Sequence, residues 1–488
     1  MTSHDSGDQI VEGRRRPLIR RLADNLVLGL FFAPILLAAL PMGASRDWAW
    51  APIAVMIGVV AVLVAAGFGA GRGFEVGEHE RRPLLALIGC FLFVVVFALF
   101  QGASFAPPSG SAWLYASALR ILGSAHAAVP DIAVDAARNG LLKIITCGLI
   151  FVMARAICRD RSNARALLAV LVVSTLLVVI YALIMQVTTH SCYLGSYLKK
   201  QGLYDTRGQC LMSGTFVNSN SFACYIGMGV VAAMALALDR RRREHSAFDG
   251  RYVQTFESMM TATRVALLVA ILFLLGGMLM SASRAGVAAS VGGALALVLL
   301  LMRGQWDERP DLVRLFWIGA AIVFVVGVIA GGALLAKSVH ANDGGSRLII
   351  WMTSLDAIGL SPWLGWGLGS FADIYTILQP AAIVQPNDLA HSTPIETIVE
   401  LGVIAAIPAF AVVLLPLGFS LRAAFRRQYR YRVLPAAAFA IAAVPILHSM
   451  VDFSLQIPSI GFVTSAVLGM GWAQAFDLHR SSRRSTTA

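Results

Sequence analysis

Arg284 stands in Ser281-Ala282-Ser283-Arg284-Ala285-Gly286, between two apolar runs with almost no connection between them. Arg347 opens a later amphipathic stretch. A guanidinium is always charged and grips phosphate through parallel N–H groups. Two of them at one membrane interface suit a lipid-linked phosphate or diphosphate. The alternative is that each arginine snorkels to lipid headgroups or pairs with a loop carboxylate. His391 lies in Asn387-Asp388-Leu389-Ala390-His391-Ser392-Thr393-Pro394, just before an apolar run. An unperturbed imidazole titrates at about 6.5 and accepts a proton near neutrality. A general base beside phosphate-gripping arginines suits transfer from a lipid diphosphate to a hydroxyl. The alternative for a lone histidine is a solvated interfacial side chain.

Metal chemistry has no visible seat. No His-x-x-x-His or carboxylate cluster surrounds His391. The acids expected near the same face, Asp343, Asp388, Glu396, Glu400 and Asp452, include no Asp-x-Asp pair. A metal-dependent nucleotide-sugar mechanism is therefore not expected, and neither is a cofactor. Glu400 carries the blander expectation of capping or orienting helix ends. Cys192 and Cys210 can pair if they face an oxidising compartment, although spacing alone does not fix their geometry. Cys90, Cys147, Cys158 and Cys224 lie in or near apolar runs and read as packing residues.

These side chains must be held by membrane helices. Of 488 residues, 58% are hydrophobic and 14% charged. That excludes an ordinary soluble domain, a disordered chain, collagen and a disulfide framework. The expected fold class is an all-α membrane protein. Apolar runs of spanning length fall near 26–44, 49–68, 84–102, 140–157, 166–186, 217–238, 265–282, 285–302, 315–335, 397–419, 433–451 and 458–476, which gives twelve spans. The first run follows Arg14, Arg15, Arg16, Arg20 and Arg21 without a small-residue cleavage site, so it reads as a retained helix.

Charge sets the orientation. With the N-terminus inside, 29 of the 39 Lys and Arg fall in segments on the inner side and ten on the outer. This predicts cytoplasmic termini by the positive-inside rule. The net charge of +12 then reports topology, with a contribution from anionic lipid, and nucleic acid is not an expected partner. The organisation expected is a basic segment over 1–25, a membrane domain over 26–476 and a tail over 477–488. External loops cover 103–139, 187–216 and 336–396. In the last, Leu348, Ile349, Ile350, Trp351 and Leu355, then Ile374, Tyr375, Ile377 and Leu378, predict short amphipathic helices on the membrane. Pro362, Gly365, Gly367 and Gly369 separate them. A long structured loop usually carries function. There is no internal repeat and no sign of a separate soluble domain.

Five stretches resemble one family in order. Gly214-Thr215-Phe216-Val217-Asn218-Ser219-Asn220-Ser221-Phe222-Ala223 opens a middle span. Ser281 to Gly286 follows. Arg347 and Trp351 precede Ser361-Pro362-Trp363-Leu364-Gly365-Trp366-Gly367-Leu368-Gly369-Ser370-Phe371. Ala390-His391-Ser392 comes with Glu400-Leu401-Gly402, and His448-Ser449-Met450-Val451-Asp452-Phe453 closes the set. Over about 210–455 the chain resembles the O-antigen ligase and polymerase superfamily. Where many members have Asn after the histidine, this chain has Ser392, which bears on an amide role at that position and not on the histidine.

The resemblance implies a GT-C-like glycosyltransferase of the inner membrane whose active site faces the periplasm. It would take a glycan from undecaprenyl diphosphate, without metal or cofactor, and join it to an acceptor hydroxyl with inversion. Arg284 and Arg347 would hold the leaving diphosphate, and His391 would orient or deprotonate the acceptor. Trp351, Asn218 and Asn220 would belong to the substrate-binding set. The bilayer, an acceptor glycan, a chain-length regulator and a flippase are the implied partners. The preferred reading is a polymerase acting on another lipid-linked repeat unit in O-antigen or exopolysaccharide synthesis. The alternative is a ligase acting on lipid A–core, and a protein O-glycosylation ligase is a third. A transporter or flippase ranks lower, because it should show paired halves and polar groups at mid-membrane.

Overall fold

A computed structural model describes residues 18–68, 74–102, 134–189, 212–239, 250–303, 344–380, 387–426 and 429–476. The described chain is all helical. In order the helices are α1 (Leu18–Leu37), α2 (Asp47–Ala65), α3 (Glu78–Gln101), α4 (Val134–Ile157), α5 (Arg161–Thr189), α6 (Ser219–Leu238), α7 (Gly250–Met280), α8 (Arg284–Met302), α9 (Gly344–Leu360), α10 (Phe371–Leu378), α11 (Thr393–Arg426), α12 (Tyr429–His448) and α13 (Pro458–Phe476). Short 3-10 turns occupy Met42–Ala44 and Ser454–Gln456.

Ten of the described helices are long and apolar enough to cross a membrane: α2 to α8 and α11 to α13. α1 covers the first expected span with a shorter apolar stretch, Leu22–Leu37. The expected span at 315–335 and the pair Cys192 and Cys210 lie outside the described residues. The other four cysteines are free, and Cys158 and Cys224 are buried.

α6, α12 and α13 form the centre, and α3 lies on the outside with half of its residues exposed. Lipid tails are as apolar as Leu, so membrane helices gain more from close approach than from the hydrophobic effect. Small residues permit that approach here. A Cβ on Gly293 of α8 would stand 2.7 Å from the Ala440 carbonyl of α12, and one on Gly469 of α13 would stand 2.4 Å from the Phe151 carbonyl of α4.

The two ends of the bundle differ chemically. At one end the fully buried Glu80 accepts from Arg155 Nε at 2.7 Å, Arg159 Nη2 at 2.7 Å and Trp472 Nε1 at 2.9 Å. Gln474 Nε2 donates to the Cys158 carbonyl nearby. At the same helix ends Arg165 pairs with Asp239, and Arg303 donates to the Phe425 carbonyl and lies over that ring. Arg284, Arg347 and His391 lie at the opposite end.

α9 and α10 are the two helices expected in the long external loop. Ile350 and Ala357 of α9 pack with Trp366, Phe371, Ile374, Tyr375, Ala390 and Val399. Leu348, Met352 and Leu355 form an exposed stripe on the same helix, the spacing of an amphipathic face.

α11 departs from the simple expectation at 397–419. It spans 34 residues and is broken at Gly402, whose backbone has φ 63° and ψ 174°. A break frees backbone groups that cannot be left bare at membrane depth. The 362–367 segment satisfies them. Trp366 N and Gly367 N donate to the Val399 and Glu400 carbonyls at 2.9 Å each, and Val403 N donates to the Pro362 carbonyl at 2.9 Å. Gln101 of α3 bridges both sides, donating to the Leu364 and Glu400 carbonyls.

Candidate active site

α6 starts because Asn218 caps it. Its side chain accepts from Asn220 N at 2.7 Å, which satisfies one of the unpaired first-turn N–H groups. The cap turns Asn220 inward, where Nδ2 donates to Asp452 Oδ2 at 2.8 Å. Asp452 lies in the turn between α12 and α13 with no exposure to solvent. Its Oδ1 accepts from Phe453 N at 2.8 Å.

Two basic side chains approach the same carboxylate. Arg347 Nη2 lies 3.7 Å from Oδ2, and Arg347 Nη1 donates to the Val451 carbonyl at 3.4 Å. His391 Nδ1 lies 3.7 Å from Oδ1, beyond hydrogen-bond reach. Burial alone would push the Asp452 carboxyl up. The neighbouring His391, Arg347 and His448, with the Phe453 N–H, more than offset it and hold the group below the usual carboxylate range. Asp452 is thus an ionised anchor on which Arg347, His391 and Asn220 converge.

His391 is held in the left-handed region at φ 51°, uncommon for a side chain with a Cβ. Both peptide groups of the preceding residue are tied. Trp351 Nε1 donates to the Ala390 carbonyl at 3.0 Å, and Ala390 N donates to Glu396 Oε2 at 2.8 Å. The ring stands edge-on to Phe453, 5.1 Å between centroids. Thr393 N donates to the Ser449 carbonyl at 2.9 Å and fixes the start of α11 to the end of α12. His448 pairs its Nδ1 with Ser454 Oγ at 2.7 Å.

Arg284 is the first residue of α8. Ser283 caps this helix by accepting from Gly286 N at 3.2 Å, and Ser281 Oγ accepts from Ser283 N at 3.2 Å. A Cβ on Gly286 would stand 2.6 Å from Ala223 Cβ, so α8 begins against the first turn of α6. Arg284 is exposed and has no ion pair or hydrogen bond among the described residues. A cation gains nothing from a helix N-terminus. Guanidinium and helix end together favour an anion there.

The structure therefore brings together Arg347, His391 and Asn220, through Asp452. It places Arg284 at the same end without contact. Asn218 and Trp351 have intramolecular partners, a cap and the Ala390 carbonyl. Glu400 does orient a helix end: Oε1 accepts from Phe371 N, the first residue of α10, at 3.4 Å. The residue whose role sequence reasoning missed is Asp452. Its signal was present in His448-Ser449-Met450-Val451-Asp452-Phe453.

Orphaned polar atoms collect around this cluster. His391 Nδ1, His448 Nε2, Thr393 Oγ1, Ser221 Oγ, Gln456 Oε1 and Ser459 Oγ are buried without a hydrogen-bond partner. Buried polar atoms are normally satisfied by protein or by ordered water. Among the described residues no group of three His, Cys, Asp or Glu side chains is placed to hold a metal. Residues 269–410 match the family model described as O-Antigen ligase. No curated protein matches the chain. The matched segment contains Arg284, Arg347, Trp351 and His391, whereas Asn220 and Asp452 come from outside it.

Proposed function

We propose that this chain, a multi-pass bacterial membrane protein that belongs to the O-antigen ligase superfamily, transfers a glycan from polyprenyl diphosphate to an acceptor hydroxyl at the outer face of the inner membrane. The observation that carries the reading is the joining of Arg347, His391 and Asn220 on one buried, ionised Asp452. His391 Nε2 takes the acceptor proton as the hydroxyl oxygen attacks the anomeric carbon. The glycosidic C–O bond to the diphosphate breaks, with inversion. The departing diphosphate gathers negative charge, which the Arg347 and Arg284 forks offset. The N-termini of α6, α8, α11 and α13 all start at this end and add their partial positive charge.

The ligase reading now ranks before the polymerase one, because the matched family carries that description. A deletion strain separates them. Loss of a ligase leaves lipid A–core without glycan while full-length lipid-linked chains accumulate. Loss of a polymerase leaves single lipid-linked repeat units. Unchanged surface glycan and unchanged lipid-linked pools would overturn the transferase reading altogether.

The orientation rests on charge: the Arg-rich helix ends lie opposite the site, as the positive-inside rule requires. A reporter inserted between Pro380 and Asn387 is expected to be active only in the periplasm. Cytoplasmic activity there would remove the diphosphate donor from reach and the site assignment with it.

A further inference from the structure

We propose that Glu396 is a positioning residue that sets His391 for proton transfer; the inference rests on the transferase reading above. Glu396 is the first acidic residue of α11 and is buried, 5% exposed. A buried carboxyl group needs partners. Here the hydrogen-bond partner is Ala390 N at 2.8 Å, and the Gln456 side chain lies beside the same carboxyl. Ala390 immediately precedes His391. Gln456 belongs to the 3-10 turn that begins two residues after Asp452. Glu396 thus fixes the residue before His391 and lies against the turn that follows Asp452.

The need for such a tie is visible in the backbone. His391 sits at φ 51°, a conformation that persists only where its surroundings over-determine it. Trp351 holds the Ala390 carbonyl, but a single hydrogen bond leaves the peptide free to turn about it. Glu396 holds the other peptide group of Ala390 by its N–H, so the residue before His391 is fixed on both sides. With it removed, the His391 backbone can relax toward the ordinary region and carry Nε2 away from the acceptor. A misplacement of about 1 Å is enough to cost about 10²-fold in rate.

The role calls for an acceptor atom, not a charge. Glu396→Gln keeps the oxygen that receives the Ala390 N–H. Gln456 can turn its amide over and offer its unpartnered Oε1 to the new donor. The test compares Glu396→Ala and Glu396→Gln with wild type in nanodiscs, using a polyprenyl-diphosphate-linked oligosaccharide and an acceptor glycan. Glu396→Ala should lower kcat about 10²-fold with KM for the lipid donor unchanged, and Glu396→Gln should restore kcat to within about threefold, since the Ala390 hydrogen bond is kept and only weakened to a neutral one. Hydrogen exchange of the peptide covering 387–393 is measured in parallel. Ala390 N should lose protection in the alanine variant and keep it in the glutamine variant. If Glu396→Gln is as slow as Glu396→Ala while its exchange is protected, Glu396 acts through its charge and the positioning role is wrong. If neither exchange nor kcat moves in Glu396→Ala, it is wrong also. Should the wild type transfer no glycan, the transferase reading fails, and exchange alone decides whether Glu396 fixes the His391 peptide.

Discussion

His391→Ala is expected to abolish glycan transfer while the protein still inserts and binds its lipid donor. A positioned general base contributes about 10²–10⁴ in rate. The imidazole is 24% exposed and touches Phe453 only by its edge, so its removal leaves no large cavity. Arg347→Lys should lose about 10² or more, although charge is kept. Lysine offers a point charge where two parallel N–H groups are needed. Its shorter reach also gives up the Val451 carbonyl and the approach to Asp452. Arg284→Lys is expected to fall in the same range, since in the proposed mechanism the fork at the start of α8 serves the same diphosphate. Arg303→Lys, at the opposite end of the same helix, is the control and should transfer normally. Complementation of a deletion strain at matched expression reads all four. Wild-type glycan from His391→Ala and both Arg→Lys variants would return the arginines to lipid contact and the histidine to a solvated interface.

The second large effect concerns folding. Gly402→Ala is expected to strip the membrane of folded protein. At φ 63° and ψ 174° only glycine is comfortable, and such strain costs about 1–3 kcal/mol. The new Cβ would also stand 2.3 Å from the Trp363 carbonyl oxygen and 2.5 Å from Gly365 N, both backbone atoms that cannot rotate away. Overpacking of this kind costs a further ~1–3 kcal/mol. Gly365→Ala should behave alike, because its Cβ would meet the Glu400 carbonyl oxygen at 2.3 Å. Gly418 lies in the same helix with open space around its Cβ, so Gly418→Ala should be neutral or slightly stabilising. Thermal unfolding of the three variants in detergent checks this. A melting curve for Gly402→Ala that overlays the wild type would mean that the crossing of loop and helix carries no stability.

The transmembrane helices were legible because hydrocarbon demands long apolar runs, and ten of the expected spans appear as such. The helices of the 336–396 segment were legible for the related reason that Leu348, Ile350, Trp351 and Leu355, then Ile374, Tyr375, Ile377 and Leu378, recur at helical spacing. The break at Gly402 was not. It interrupts no apolar run, and its only trace is a glycine paired in space with Gly365, well upstream. The site divides in the same way. Arg347 and His391 stood out because a charge or an imidazole at a membrane surface demands a reason. Asp452 did not, since a carboxylate in a short turn between two spans looks like any solvated loop acid. Its importance lies in total burial, which no local pattern reveals. Asn218 and Asn220 show the finest limit. Two identical side chains two positions apart divide into a cap and a carboxylate partner, and the difference is fixed by helix phase alone.

Glu80 has a consequence for the order of synthesis. It belongs to the third described helix, yet one of its three donors is Trp472, in the last described one. α13 also packs along α4 in the middle of the bundle, not at its edge. When α3 and α4 leave the translocon, Arg155 and Arg159 can already neutralise the carboxylate, but the indole is hundreds of residues from being made. The early helices must therefore wait in the bilayer with an open slot, shielded by lipid or by an insertase. A chain released before residue 458 would lack a central stave and not a peripheral one, and quality-control proteases would meet it as an unfinished barrel of helices with a polar seam.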